Sequence, residues 1–360
     1  MKPKFFLAAG VVLMLAFVLV LGTAAAQPAN PCDPAFVGRT GKIIRVSPTE
    51  VDDTANIQCA FDWANARGPG MTVRLTPGTF HTAQIVVNDF NGSFRGSGAD
   101  KTLIVNLPNL YVTPLDGFIN PPSADNPLPF LFSFIDGRFV IADMAVHVDG
   151  HEGNVTTGWS VSGPSGFTTY ELIAAFLISG TQADAWVTRI LIEGEPLENT
   201  LFGYSAINGI YYEGIIGAIP QPLSGSYRLS RSTIKTVGSG SPIANLKDAS
   251  VSISHNTYED AFVMMDAADF VDSTIEIASN KAETFIGIDF WQYMLSADVG
   301  TKFVVRNNRF AGTYGVIFEQ TIGAGTTCLI KSNDFRQILD TSVLLLGPGT
   351  DQCVVKNNRE

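Results

Sequence analysis

Basic side chains are scarce in this sequence. Charged residues of both signs make up only 16% of its 360 positions, and 23 Lys and Arg face 34 Asp and Glu, for a net charge of −11. A chain this acidic repels a phosphate backbone, so nucleic acid is not an expected partner. Histidine is limited to His81, His147, His151 and His255, which are scattered and lack the spacing of metal ligands. Long apolar runs are absent after residue 26, so no later segment is expected to span a bilayer. Cysteine stops at four residues, Cys32, Cys59, Cys328 and Cys353.

What is present begins with a leader. Lys2 and Lys4 precede an apolar run from Phe5 to Leu21, and Thr23-Ala24-Ala25-Ala26 supplies small residues for cleavage. This layout predicts a signal peptide over residues 1–26 and a secreted, periplasmic or cell-surface location. An uncleaved anchor is the rival reading, because the apolar run approaches spanning length.

The second half repeats itself. YRLSRSTI, VSISHNTY, IEIASNKA, FVVRNNRF, CLIKSNDF and CVVKNNRE align on Ser232, Asn256, Asn280, Asn308, Asn333 and Asn358. A period in the twenties marks a solenoid whose coils bury their faces against one another. Five residues before the aligned position stand Tyr227, Val251, Ile275, Phe303, Cys328 and Cys353, and three before it stand Leu229, Ile253, Ile277, Val305, Ile330 and Val355. The position between the second column and the asparagine is mostly polar, which is strand alternation. One such strand per coil predicts a parallel β-helix with coils of about 24–25 residues. The asparagines are then expected to form a hydrogen-bonded ladder at a bend.

The front half reads as an entry segment and capping helix over residues 27–70, with the coil stack running from 71 to 360. Asp53 or Thr54 is expected to cap a helix carrying Ile57, Phe61 and Ala64 on its apolar side, and Gly68-Pro69-Gly70 ends it. Asp52-Asp53-Thr54 with Ile57, Gln58 and Ala60, the turn Pro77-Gly78-Thr79-Phe80, and Gly96, Gly98, Thr102 and Ile104 together resemble the entry of the pectate-lyase-like superfamily. The resemblance implies an all-β, right-handed parallel β-helix with an N-terminal capping helix. It assigns no catalytic residue, because the N-T-D, aspartate-pair, G-H-G and R-I-K order of the polygalacturonase-like members is missing. Departures from the coil rhythm near 107–137 and 149–184 are expected to be long loops, where binding functions concentrate.

A second strand in each coil reads IYYE (210–213), VMMD (263–266), IGID (286–289), VIFE (316–319) and LLLG (344–347). Its last position stacks Asp266, Asp289 and Glu319, with Glu213 earlier in the same column. Carboxylates about 4.8 Å apart on adjacent coils suit a glycosidase pair. The same three side chains could instead hold Ca²⁺, although no cofactor is required. The plain alternative is a row of solvated acids. Trp291 and Tyr293 beside Asp289 could stack on a sugar ring or pack in the core.

The expectation from sequence is therefore a secreted β-helix that binds or cleaves polysaccharide, by hydrolase or lyase chemistry. The alternative is a non-catalytic surface or adhesin-like module. Cys328 and Cys353 fall in one inward column of adjacent coils, close enough for a disulfide or for two stacked thiols. Cys32 and Cys59 form the other candidate pair, joining entry segment to cap.

Overall fold

The computed structural model describes residues 31–107, 130–148, 159–163, 166–170, 174–194, 208–216, 219–220, 222–291 and 297–360. The leader at 1–26 and Tyr293 lie outside them. Among the described residues twenty strands join one continuous sheet, and every pairing in it is parallel except the entry hairpin of Val37–Thr40 with Ile43–Val46. The sheet winds into coils with three faces, giving the parallel β-helix expected from the repeat, with the right-handed turn that the resemblance implied. Phe130–Val148 and Ala174–Gly194 run through all three faces and pair along nearly their whole length.

The repeat columns are the structural columns. Tyr227, Val251, Ile275, Phe303 and Cys328 follow one another in register along the second face, and all five are buried. At the following bend each coil places one residue in the left-handed region, Arg231, His255, Ser279, Asn307, Ser332 and Asn357. The ladder position comes next and points inward. Asn308 shows the bonding: its Oδ1 accepts from the backbone N–H and Nδ2 of Asn280, and its own Nδ2 donates to Ile277 O and Asn333 Oδ1. The same pattern links Asn256 to Asn358. A buried amide is tolerated here because both of its ends are satisfied.

Helix α1 spans Thr54–Arg67 and covers the first coils. Phe61 reaches from it into a cluster of Phe90, Phe94 and Phe134, with ring centroids 5.0 to 5.7 Å away. Asp53 does not cap the helix with its side chain. Its fully buried carboxylate instead accepts the backbone N–H groups of Thr49 and His81, while Gln58 exchanges two hydrogen bonds with Val86. The entry motif is therefore a set of ties between the cap and the neighbouring coil. Gly96 is needed for close approach, since a Cβ there would run into the Asp143 carbonyl.

Cys32–Cys59 and Cys328–Cys353 are both disulfides, with Cα separations of 5.8 and 4.5 Å. The long-loop boundaries need correction: strands resume at Phe130 and Ala174, earlier than 137 and 184, because these residues are already paired on the first face. Within the second departure, Trp159–Gly163 and Gly166–Tyr170 form an antiparallel hairpin. Among the described residues no helix is long and apolar enough to cross a membrane.

Candidate active site

The first face carries the acids. At 263–266 the strand turns a corner, so Met264 and Met265 are both fully buried in the core while Val263 packs in a separate outer cluster. Asp266 comes next, half-buried, and pairs in register with Asp289 on the adjacent coil. Parallel neighbours lie about 4.8 Å apart, so the two residues stand one strand spacing apart on adjacent coils.

The third acid does not join that column. Asp289 is opposite Ile317, and Ile288 is opposite Val316. Glu319 lies beyond the strand, exposed, with its backbone N–H donating to Phe290 O at 2.7 Å. Glu213 is displaced as well, since it pairs with Ala244, which pairs with Ala268. It is buried rather than open to a ligand. Trp291 is half-buried, one residue past Phe290, and so stands next to Glu319 across the Phe290–Phe318 pair. Among the described residues no three His, Cys, Asp or Glu side chains gather to hold a metal ion. Ile317, not Glu319, is the register partner of Asp289.

The surroundings of the pair explain its electrostatics. Burial pushes Asp266 up to about 6, and the neighbouring Ser239 opposes the shift. Burial also pushes Asp289 up to about 7, reinforced by the charges of Asp266 and Glu319. One oxygen of Asp289 is buried without a hydrogen-bond partner among the described residues, which further disfavours its ionised form. Both carboxyls are therefore held above the usual carboxylate range, by burial first and, for Asp289, by the neighbouring charges as well.

An aromatic row missed by the sequence reading runs beside the acids. Phe262 and Phe285 stack at 5.2 Å, and Phe285 meets Tyr314 edge-on at 5.8 Å. All three pack against the outer cluster of Val263, Ile286 and Ile317. The signal was present as F-x-x-x-D in two successive coils, Phe262 to Asp266 and Phe285 to Asp289. A groove of about 300 Å³ lined by Thr284, Phe285, Thr313 and Leu339 adjoins this row. Asp298, also missed, joins Glu213 as a buried acid raised to about 7: burial is the main cause for both and the charge of Asp269 adds to it, while the Phe270 backbone N–H opposes the shift of Asp298.

No family model matches the chain, and no curated protein matches it. Solved structures do. They include a Yersinia enterocolitica family 28 exopolygalacturonase, at 9% identity and TM-score 0.41 over 85% of this chain and 76% of that one. A second is the A-module of the Azotobacter vinelandii mannuronan C-5 epimerase AlgE6, at 14% and 0.34 over 86% and 95%. A third is the enzymatically active domain of bacteriophage CBA120 tailspike protein 2, at 10% and 0.41 over 84% and 46%. At these values the likeness carries no inference about activity. What the structure shows of this chain is its fold, a right-handed parallel β-helix entered through the Asp53–Gln58 segment and helix α1.

Proposed function

We propose that the chain acts on an extracellular polysaccharide, as a hydrolase using Asp289 as acid and Asp266 as its ionised partner. The observation that supports this most is the in-register pairing of two carboxyls with raised pKa on one face. A carboxyl raised by burial and a like charge can keep its proton near neutral pH, and the buried, unpartnered oxygen of Asp289 favours that member of the pair as the acid. Asp289 would protonate the leaving glycosidic oxygen. Asp266 would stabilise or attack the developing oxocarbenium carbon, and a carboxyl spacing of about 5 Å suits the retaining outcome. The row of Phe262, Phe285 and Tyr314 offers apolar ring surface along the coil axis, the direction in which a linear polymer would lie. The two disulfides fit an oxidising, extracytoplasmic compartment.

The test is a screen of purified protein against acidic and neutral polysaccharides between pH 5 and 8, with and without Ca²⁺, scored by new reducing ends and by unsaturated products. Reducing ends without unsaturation, lost in Asp266→Asn, support the hydrolase. Unsaturated products would mean lyase chemistry instead. Binding without cleavage, unchanged by Asp266→Asn, would leave a surface module.

A further inference from the structure

The second face carries a separate groove of about 700 Å³, away from Asp266 and Asp289. Two side-chain columns form its floor. One runs Asn91, Arg138, Asp184, Ser226, and the other runs Ser93, Val140, Trp186, Arg228, each step being an in-register pair on adjacent coils. The next outward residue of this column after Arg228 is Ser252. The two columns hold a tryptophan that is 45% exposed and two arginines, in a chain where basic residues are the minority.

These side chains are set in place. The indole N–H of Trp186 donates to Ser230 Oγ, whose hydroxyl in turn donates to Thr188 Oγ1. That fixes the ring while leaving much of its surface to solvent. Asp184 accepts from the backbone N–H and hydroxyl of Ser226 on one oxygen and from two nitrogens of Arg138 on the other. The Arg138 side chain remains 80% exposed, so its unused edge is open to a further acceptor. Arg228 is exposed, stands directly beside Trp186, and makes no ion pair or hydrogen bond among the described residues.

We infer that this groove is a second saccharide-binding site, selective for chains that carry carboxylates. The indole face would stack on an apolar ring face of one sugar. Arg228 and the open edge of Arg138 would meet carboxylates on neighbouring units, as the guanidinium fork suits a planar anion. Asp184 keeps Arg138 pointed along the groove. A neutral glucan offers the ring face and leaves both arginines unanswered, and a second protein would find no sizeable apolar patch around a single indole. The inference stands on its own residues and does not require Asp266 or Asp289 to be catalytic. If they are, the groove would hold an acidic polymer while the first face cleaves it.

The experiment uses the full chain and its Asp266→Asn/Asp289→Asn variant, so that no probe is consumed. Galacturonate hexamer and glucose hexamer are titrated by calorimetry and by indole fluorescence. The expected result is saturable binding of the galacturonate hexamer to both proteins, weakened about tenfold by Trp186→Ala and about tenfold by Arg228→Ala. Trp186→Phe should retain most of the affinity, and raising the salt should reduce it. Each variant is checked for an unchanged melting temperature, and Arg228→Lys controls for charge without the fork. Absence of galacturonate binding to the unsubstituted chain overturns the inference, as does equal affinity for the glucose hexamer. Binding that survives both Trp186→Ala and Arg228→Ala, or that disappears only in the Asp266→Asn/Asp289→Asn variant, assigns the ligand to the first face and overturns it too.

Discussion

A single ladder asparagine touches three coils. Asn308 uses both ends of its amide in four buried hydrogen bonds, one to a carbonyl, one to a backbone N–H and two to neighbouring amides. Removing it strands the partners as well as the residue, and unmet buried polar groups cost roughly 1–3 kcal/mol each. Asn308→Ala should therefore destabilise the chain by about 3 kcal/mol in urea unfolding. Asn358→Ala, at the half-buried end of the ladder, should cost about 1 kcal/mol. Equal costs at both sites would mean that the ladder is not cooperative across coils. The acid pair is a residue-scale feature of the same kind, since Asp266 and Asp289 owe their raised values to what surrounds each carboxyl.

At the scale of strands, the last coil shows what holds an element in place. Val354–Lys356 is exposed at every residue, so apolar burial contributes little to its attachment. Its ties are the Cys328–Cys353 bond, the strand pairing and the Asn358 amide. Closing a loop of 25 residues stabilises by roughly 3 kcal/mol in the chain-entropy account. Cys328→Ser with Cys353→Ser should therefore lower stability by about that much, and amide exchange should rise first at Val354–Lys356 while Val251 and Ile275 stay protected. Uniform exchange across the stack would show that the bridge has no local role.

Strands were also where the sequence was most and least legible. Alternation and the asparagine period defined the second face residue by residue, because an inward column tolerates only apolar side chains. The first face was misread at Glu319, since VIFE and IGID look alike as apolar runs ending in an acid. Counting from the ladder instead, Ile288 and Val316 stand equally far past Asn280 and Asn308, which is the register found. The corner at Met264–Met265 hid the outer aromatic row, because two consecutive inward residues break the alternation that sequence reading relies on. Nothing in the sequence marked Trp186 and Arg228 as neighbours, because their coils differ in length from the later ones.

For the whole molecule, the balance of perturbed acids sets how stability follows pH. Asp266 is raised to about 6, and Glu213, Asp289 and Asp298 to about 7, all chiefly by burial, from unfolded values near 4. Below about pH 4 these groups are protonated in both states and cost nothing. As pH climbs toward 7 the unfolded chain releases protons first, so folding stability falls, and above about 7 the loss is complete. Asp143 is lowered by its hydrogen bond to Arg189, and Asp184, against the opposing effect of burial, by Ser226 and Arg138. Both lose their contribution only below the usual carboxylate range. The melting temperature should therefore be higher at pH 5 than at pH 8, and Asp298→Asn should flatten that slope. A profile that rises from pH 5 to 8, or one that Asp298→Asn leaves unchanged, would contradict the assignment of these acids as buried and raised.

The most direct test is the rate of reducing-end release at pH 6.5 from the most reactive polysaccharide, for the unsubstituted chain and for Asp289→Asn at matched melting temperature. Loss of the general acid should lower the rate by 10²–10⁴-fold while polymer binding persists. Equal rates in the two proteins, or no polysaccharide cleaved by either, would contradict the account.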